Sequence, residues 1–284
     1  MTTLSRYRKK LFDAFTEAGF ESARLEADYI VSEVTSIPHI ELLLYPERQL
    51  TSAELEKGDS FLARRLKNEP FQYIFGWTPF RDIDLKVAPG VLIPRPETEG
   101  MVDMVLKALP RNGRLCELGV GSGAISLSVA FERRDVTVEG SEISMEAFKI
   151  AEENRKNLAL QNVTFFPGDL FSPFSGRKFD VIAGNLPYIP FSEKNNLPAN
   201  VRDYEPETAL FADDEGFFLI EKAILASPEY FTENGNCALI FEMGEEHGKR
   251  AIECAEKTGF FTECKVEEDI FGVPRFLCAY RKIK

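Results

Sequence analysis

Apolar residues recur along this chain at two intervals, and the change of interval divides it. From Leu4 to about Gln72 the interval is helical. Leu4, Tyr7, Leu11, Phe12 and Phe15 fall on one helical face, with Gly19 near its end. Ala27, Ile30, Val31 and Val34 repeat the pattern and stop before Pro38. Leu42 to Leu44 form a short third segment halted at Pro46. Thr51-Ser-Ala-Glu54 reads as a capping box, and it opens a fourth helix carrying Leu55, Phe61, Leu62 and Leu66. This predicts a small helical bundle with no residue suited to chemistry.

Alternation follows. Ile83, Leu85 and Val87 are separated by charged residues, the pattern of a half-exposed strand. Pro89-Gly90 is a turn, and Val91-Leu-Ile93 is expected to return as the second strand of a hairpin. Pro96 then opens a helical run from Glu97 to Leu109, with acids in its first turn. From Arg114 onward strands and helices alternate. Strands are expected at Arg114–Leu118, Val136 to about Glu142, Val163–Phe166, Val181–Ala183, Cys237–Phe241, Cys264–Val266 and Phe276–Tyr280. Helices are expected at Ala124–Phe131, Met145–Leu158, Phe217–Leu225 and Glu246–Thr258. Such alternation implies an α/β fold with a largely parallel sheet covered on both faces.

One stretch organises the rest. In Phe179-Asp-Val-Ile-Ala-Gly-Asn185-Leu186-Pro187-Tyr188, a buried strand ends abruptly at a polar amide. Open α/β sheets bind ligands at that end of their strands. Pro187 lacks an N–H and biases Leu186 toward an extended conformation, so the loop is stiff. It offers an amide oxygen, backbone carbonyls and a ring, but no nucleophile and no obvious base. That suits a planar amide or amine whose N–H groups must be held.

A second stretch supplies a ligand turn. Glycines 119, 121 and 123 allow a sharp turn and close approach to bare backbone, and a helix N-terminus follows. Gly119-x-Gly121-x-x-Ala124 also satisfies the dinucleotide fingerprint, and Glu142 lies where a carboxylate accepts from ribose hydroxyls. NAD and other adenosine ligands therefore both fit the turn. Glu117 inside the preceding strand, together with the Asn185 loop, is usual for S-adenosylmethionine-dependent methyltransferases.

Composition narrows the partners. The chain has 284 residues, 44% of them hydrophobic, and no apolar run long enough to span a bilayer. Its start leads into an amphipathic segment, not a signal peptide's apolar core. The net charge of −12 argues against a nucleic-acid partner, with Arg64, Arg65 and Lys67 the one candidate basic patch. Five cysteines without a Cys-x-x-Cys pair read as reduced thiols in a cytosol. With only His39 and His247 present, neither a His-rich metal site nor a His-based triad is expected.

Several motifs together carry a family resemblance over nearly the whole chain. They are Glu69-Pro70-x-Gln72-Tyr73-Ile74-x-Gly76, Leu92-Ile93-Pro94-Arg95-Pro96-Glu97-Thr98-Glu99, Glu117-Leu-Gly-Val-Gly-Ser-Gly123 and Gly168-Asp-Leu-Phe171. Val201-Arg202-x-Tyr204-Glu205-Pro206, Ala209-Leu210-Phe211 and Asp269-x-x-Gly272-x-x-Arg275 continue it. The chain resembles the glutamine N5-methyltransferases that modify class-1 peptide-chain release factors. Leu186 stands where that family usually has proline, and Glu142 where many members have aspartate. The wider amino-methyltransferase group, rRNA adenine dimethylases included, accepts Asn-Leu-Pro-Tyr.

The resemblance implies a seven-stranded Rossmann-like class I methyltransferase sheet whose last strand is antiparallel. It implies an N-terminal helical recognition domain at 1–75, a β-hairpin linker at 76–96 and a methyltransferase domain at 97–284. S-adenosyl-L-methionine is the expected cofactor. Gly119, Val120, Gly121, Ser122 and Gly123 would lie along its methionine part, Glu142 would bind its ribose, and Asp169 and Leu170 would border its adenine, with Asn185 beside it. The Asn185 side-chain oxygen and the Pro187 carbonyl would each accept an N–H of the substrate glutamine. Leu186 belongs to that substrate loop, and Tyr188 would pack against the amide. No metal is required. The expected partner is the release factor, acted on by a cytoplasmic monomer without nucleic acid or membrane. An adenine N6-methyltransferase acting on RNA or DNA is the alternative, because the same loop holds an exocyclic amine. An NAD-dependent oxidoreductase would need a hydride-transfer site that the sequence does not display. A ligand-binding module without activity would leave the Asn185 loop unexplained.

Overall fold

The computed structural model describes residues 2–233 and 235–283. The chain divides into two compact units, Met1–Phe75 and Gly76–Lys284.

The first unit contains α1 (Leu4–Glu17), α2 (Ala23–Thr35), a 3₁₀ helix (His39–Leu44), α3 (Ser52–Arg65) and α4 (Phe71–Phe75). The capping box of α3 forms: the Glu54 N–H donates to Thr51 Oγ1 at 3.2 Å, and the Thr51 N–H donates to Glu54 Oε2 at 2.8 Å. Leu4, Tyr7, Leu11, Phe15, Ile30, Val31 and Phe61 build the core. Four expected core positions lie elsewhere, Leu66 among them at 37% exposed. Phe12 is 40% exposed, because it sits one position round the helix from Leu11. Leu43 and Leu44 are 63% and 71% exposed. A 3₁₀ helix repeats every three residues, so only Leu42 of that run turns inward. The candidate basic patch is consumed locally. Arg64 pairs with Glu69 and donates to the carbonyls of Tyr73 and Ile74, while Arg65 pairs with Glu26 at 2.7 Å.

The second unit opens with a hairpin of β1 (Trp77–Phe80) and β2 (Ile83–Lys86), in register from Trp77 opposite Lys86 to Phe80 opposite Ile83. The partner of Ile83–Lys86 thus lies upstream, and the expected return strand at Val91–Ile93 is irregular though Val91 and Ile93 are buried. Pro79 disguised β1, since proline is tolerated only at sheet edges. Arg81, in the left-handed region at φ +51°, makes the tight turn.

The remaining elements run α5 (Thr98–Ala108), β3 (Arg114–Leu118), α6 (Ala124–Glu132), β4 (Thr137–Glu142), α7 (Met145–Asn157), β5 (Val163–Pro167) and β6 (Val181–Asn185). Then come β7 (Ile189–Pro190), α8 (Ala199–Arg202), α9 (Glu207–Leu210), β8 (Phe211–Ala212), α10 (Phe218–Ala226), β9 (Cys237–Glu242), α11 (Gly248–Lys257), β10 (Glu263–Glu268) and β11 (Pro274–Arg281). The sheet has seven strands in the order β10-β11-β9-β6-β3-β4-β5, with β11 antiparallel to both neighbours, as expected. One face packs Met101, Val102 and Val105 of α5 and Leu127 of α6 against Leu115, Val138 and Val181. The other packs Phe217, Ile220 and Ala251 against Leu118, Ile182 and Leu239. The strand order reverses between β3 and β6, which opens a crevice at their carboxyl ends. There Asn185 of β6 stands in register with Glu242 of β9. Among the described residues no helix is long and apolar enough to cross a membrane.

Glu117 explains why an acid sits inside β3. The N-cap of α6 is Gly123, which has no side chain to satisfy the first turn. Glu117 supplies the acceptor instead, taking the Ser126 N–H at 2.9 Å and the Ser126 hydroxyl. Burial pushes its carboxyl up to about 8, against the pull of those donors. The unfolded chain releases this proton near the ordinary glutamate value, whereas the folded chain keeps it to about 8. Stability should therefore fall as pH rises from 5 to 8. Glu117→Gln keeps the shape and the acceptor, so its urea midpoint should fall less across that range. An unchanged slope would assign the titration to another group.

Candidate active site

The crevice holds a cavity of about 430 Å³. Among the segments that line it are Gly119 and Gly121 after β3, Glu142 ending β4, Asp169 and Leu170 after β5, and Asn185 ending β6 with Leu186 and Pro187 beyond it. Sequence separations of more than sixty residues thus close to one site. The glycine turn is held from below. The N–H groups of Gly119 and Val120 donate to the Ser141 carbonyl at 2.9 and 3.1 Å. Gly121, at φ +59°, donates its N–H to Glu142 Oε2 at 2.8 Å. The other Glu142 oxygen accepts the Ser144 N–H at 2.8 Å. Burial pushes the Glu142 carboxyl upward, and these N–H groups oppose the shift. Each oxygen keeps a further lone pair for a ligand hydroxyl.

Not all of the expected cofactor residues face the cavity. Val120 is buried at 3% beside Gly140, where a Cβ would come within 2.4 Å of it. The Ser122 carbonyl accepts from Asn154 Nδ2 at 2.9 Å, and Gly123 caps α6. These three shape the turn without lining the space. Asp169 lines it with a side chain paired to Lys222 at 2.7 Å. Leu170 holds a left-handed φ of +44°, a conformation costing a leucine roughly 1 kcal/mol or more. Ile143, 68% exposed, and Phe191, 53% exposed, add apolar walls. Neither is among the residues expected from the sequence, although a large aliphatic directly after Glu142 was a usable signal.

A second cavity of about 220 Å³ adjoins the first, lined by Arg95, Tyr188, Val201 and Leu210 among others. Asn185, Leu92 and Ala209 line both. Tyr188 belongs to this side only. Arg95 is oriented by Glu205, which accepts from it at 2.7 Å and also takes the Ile93 N–H at 3.1 Å. Arg95 is thus a structured wall of this cavity. The loop around Tyr188 is fastened by the pairing of Ile189 with Phe211 and of Pro190 with Ala212.

Asn185 itself is held from behind. Its Nδ2 donates to Thr98 Oγ1 at 3.2 Å, and the Thr98 hydroxyl donates to Glu242 Oε2 at 2.7 Å. The Tyr188 hydroxyl donates to the other Glu242 oxygen at 3.1 Å. Burial, then the Glu242 charge, holds the Tyr188 hydroxyl well above its ordinary value. Thr98 and Glu242 were not picked out as site residues. Glu242 carried the same signal as Asn185, a polar residue ending an otherwise apolar strand.

The cavity's donors and acceptors fit S-adenosyl-L-methionine. A carboxylate stands ready for a ribose diol, bare glycine backbone admits the amino-acid part, and Ile143 and Leu170 offer apolar surface to an adenine ring. Glu142→Ala should lose a charge-assisted acceptor worth about 1.5–3 kcal/mol and also loosen the Gly121 turn. Calorimetry should show cofactor affinity falling by roughly tenfold or more. Unchanged affinity in a folded variant would remove Glu142 from the site.

Comparison with known proteins adds a family. The model described as the PrmC N-terminal domain matches residues 7–76, and that described as the methyltransferase small domain matches residues 97–201. The release factor glutamine methyltransferase of Geobacter sulfurreducens is 34% identical over 259 residues, spanning 91% of this chain and 90% of that one. The protein of the same name from Coxiella burnetii is 34% identical over 263 residues, spanning 92% of this chain and 93% of its own. A solved methyltransferase from Pyrococcus furiosus superposes with a TM-score of 0.53 over 72% of this chain and 91% of its own, at 19% identity, a likeness of fold. With a cofactor-shaped cavity at the strand ends and relatives matched along nearly its whole length, this chain belongs to the release factor glutamine methyltransferase family.

Proposed function

We propose that this protein transfers the methyl group of S-adenosyl-L-methionine to the side-chain amide nitrogen of the glutamine in the Gly-Gly-Gln motif of class-1 peptide-chain release factors. The observation that carries the proposal is the place of Asn185 on the wall shared by the two cavities. One cavity fits the cofactor, and the other, between Tyr188 and Arg95, suits a flat amide side chain.

An amide nitrogen is a poor nucleophile because its lone pair is delocalised into the carbonyl. S-adenosyl-L-methionine, when bound, supplies a methyl group activated by sulfonium. Asn185 Oδ1 and the Pro187 carbonyl accept the two N–H groups of the substrate amide and hold its nitrogen in line. Tyr188 packs on the amide face. Leu186, buried at 3% and leaning over Gly119, fixes the direction of the loop. Aligned geometry of this kind can supply roughly 7 kcal/mol. The nitrogen gains a carbon and sheds one proton. An N-protonated amide is a strong acid, so the proton passes to water without a dedicated base.

The net charge of −12 and the engagement of Arg64 and Arg65 in their own ion pairs support a protein substrate over a nucleic acid. We assign the Met1–Phe75 unit to holding the release factor, the reaction to the cytoplasm and the working form to a monomer. Ile40, Leu43 and Leu44 expose 77%, 63% and 71% of their surface on one short 3₁₀ helix, an apolar patch suited to a partner.

Incubation with radiolabelled cofactor and either release factor or RNA tests the proposal. Label on the release-factor glutamine is expected, and label on RNA alone would overturn it. Asn185→Ala should lower single-turnover methylation about 10²–10³-fold while sparing most cofactor affinity. Near-normal turnover would reduce the loop to a turn. The double variant Leu43→Asp/Leu44→Asp should raise KM for intact release factor with kcat unchanged, and an unaltered KM would place the grip elsewhere.

A further inference from the structure

Resting on the reading just given, we propose that Glu242 and Thr98 are positioning residues that set which end of the Asn185 amide faces the substrate. A side-chain amide can turn over, presenting either its oxygen or its NH₂. Only the oxygen can accept a substrate N–H, and the reversed amide would set donor against donor.

The arrangement behind Asn185 selects one orientation by counting protons. The Thr98 hydroxyl has one hydrogen and two partners, Glu242 Oε2 at 2.7 Å and Asn185 Nδ2 at 3.2 Å. An ionised carboxylate only accepts, so the Thr98 hydrogen goes to Glu242. The hydroxyl then turns a lone pair toward Asn185, which answers with its NH₂ and leaves Oδ1 for the substrate. Reversal would leave an amide oxygen facing a hydroxyl oxygen with no hydrogen between them. The same carboxylate accepts the Tyr188 hydroxyl at 3.1 Å, so one group orients both the amide and the ring.

The chain of contacts continues to its source of charge. Arg275 Nη1 lies 3.5 Å from the Tyr188 hydroxyl, and its Nε donates to Asp269 Oδ2 at 2.6 Å. Asp269 in turn accepts the N–H groups of Phe271 and Val273 at 2.8 and 3.1 Å. Arg275 thus faces the buried Glu242 as a fixed positive charge. Three elements supply the chain: Thr98 from the first turn of α5, Glu242 from the end of β9 and Arg275 from β11, where Glu242 is in register with Phe276. The Asp269-x-x-Gly272-x-x-Arg275 motif and the threonine of the Pro94–Glu99 motif thereby acquire one shared purpose.

Protonation of Glu242 would undo the arrangement. The neutral carboxyl donates to Thr98, the Thr98 hydrogen passes toward Asn185, and the amide presents NH₂. The charged and titratable groups facing Glu242 are Glu97, the N-cap residue of α5, Tyr188 from the loop after β6 and Arg275 from β11. Burial and Glu97 raise the carboxyl, while Thr98, Arg275 and Tyr188 oppose them. Turnover should therefore show an acid limb at saturating cofactor.

The test measures single-turnover methylation of release factor, with cofactor affinity titrated in parallel. Glu242→Gln, whose amide offers Thr98 either polarity, and Thr98→Val, which removes the hydroxyl at constant volume, should each lower kcat by roughly 10- to 10²-fold, short of the loss for a removed contact. KM and cofactor affinity should stay within about twofold of the parent. The double variant should be little worse than the poorer single, because both break one chain. Thr98→Ser should recover most of the turnover lost in Thr98→Val. The acid limb of kcat should vanish in Glu242→Gln. Parental kcat in Thr98→Val, or an unaltered acid limb in Glu242→Gln, overturns the assignment while leaving the methyltransferase reading intact. A parent protein that labels no release factor overturns that reading and this one with it.

Discussion

A polar side chain at the end of a buried strand must find its partners within the protein, and much of this structure follows from that constraint. An unpartnered buried polar group costs roughly 1–3 kcal/mol, more if charged. Glu142 ends β4 and takes the N–H groups of Gly121 and Ser144, which shapes the cofactor turn. Glu242 ends β9 and takes the hydroxyls of Thr98 and Tyr188, which shapes the second cavity. Asn185, between them in the sheet, gives an N–H of its amide to Thr98 and keeps its oxygen for the cavity. The chemistry resides in what these groups keep unspent after the fold has taken its share.

The core of the fold was legible because its signals are local and strong. Short apolar runs bounded by turn residues, such as Val181–Ala183 and Ala238–Phe241, have the pattern of central strands, and their alternation with helices points to a parallel sheet. The hairpin was misplaced because Pro79 argues against a strand in isolation, while the edge position that tolerates it is a tertiary fact. The exposure of Leu43 and Leu44 had a similar origin: a triplet of leucines reads as core until the three-residue repeat of its helix is known. From Pro190 to Gly216 no period exists to read, and two-residue strands and single helical turns hold that segment through contacts distant in sequence.

The site was legible in its parts and not in its wiring. Gly119, Gly121, Glu142, Asn185 and Pro187 reach one cavity because each lies at or just past the end of a strand, where sequence position does fix location. Val120, Ser122 and Gly123 belong to the same turn yet point away, since a tight turn shows a ligand only some of its residues. Thr98 is separated from Asn185 by 87 residues and from Glu242 by 144, so their hydrogen bonds leave no trace in local pattern. Glu117 is a further case: its place inside β3 is plain in the sequence, but its capping of α6, where Gly123 has no side chain to do so, is a contact the sequence does not display.

The register that places Asn185 opposite Glu242 has a consequence for quality control. If β9 slipped by one residue, Phe241 or Met243 would stand beside the amide, and the carboxylate would turn to the other face of the sheet. Thr98 would then lose its acceptor and Asn185 its orientation together. The apolar run of β9 is a weak guard against such a slip, because neighbouring residues are nearly equivalent in greasiness. The polar contacts at its end discriminate where the hydrophobic ones do not. A misregistered β9 would therefore lose these polar contacts even where its apolar packing survived.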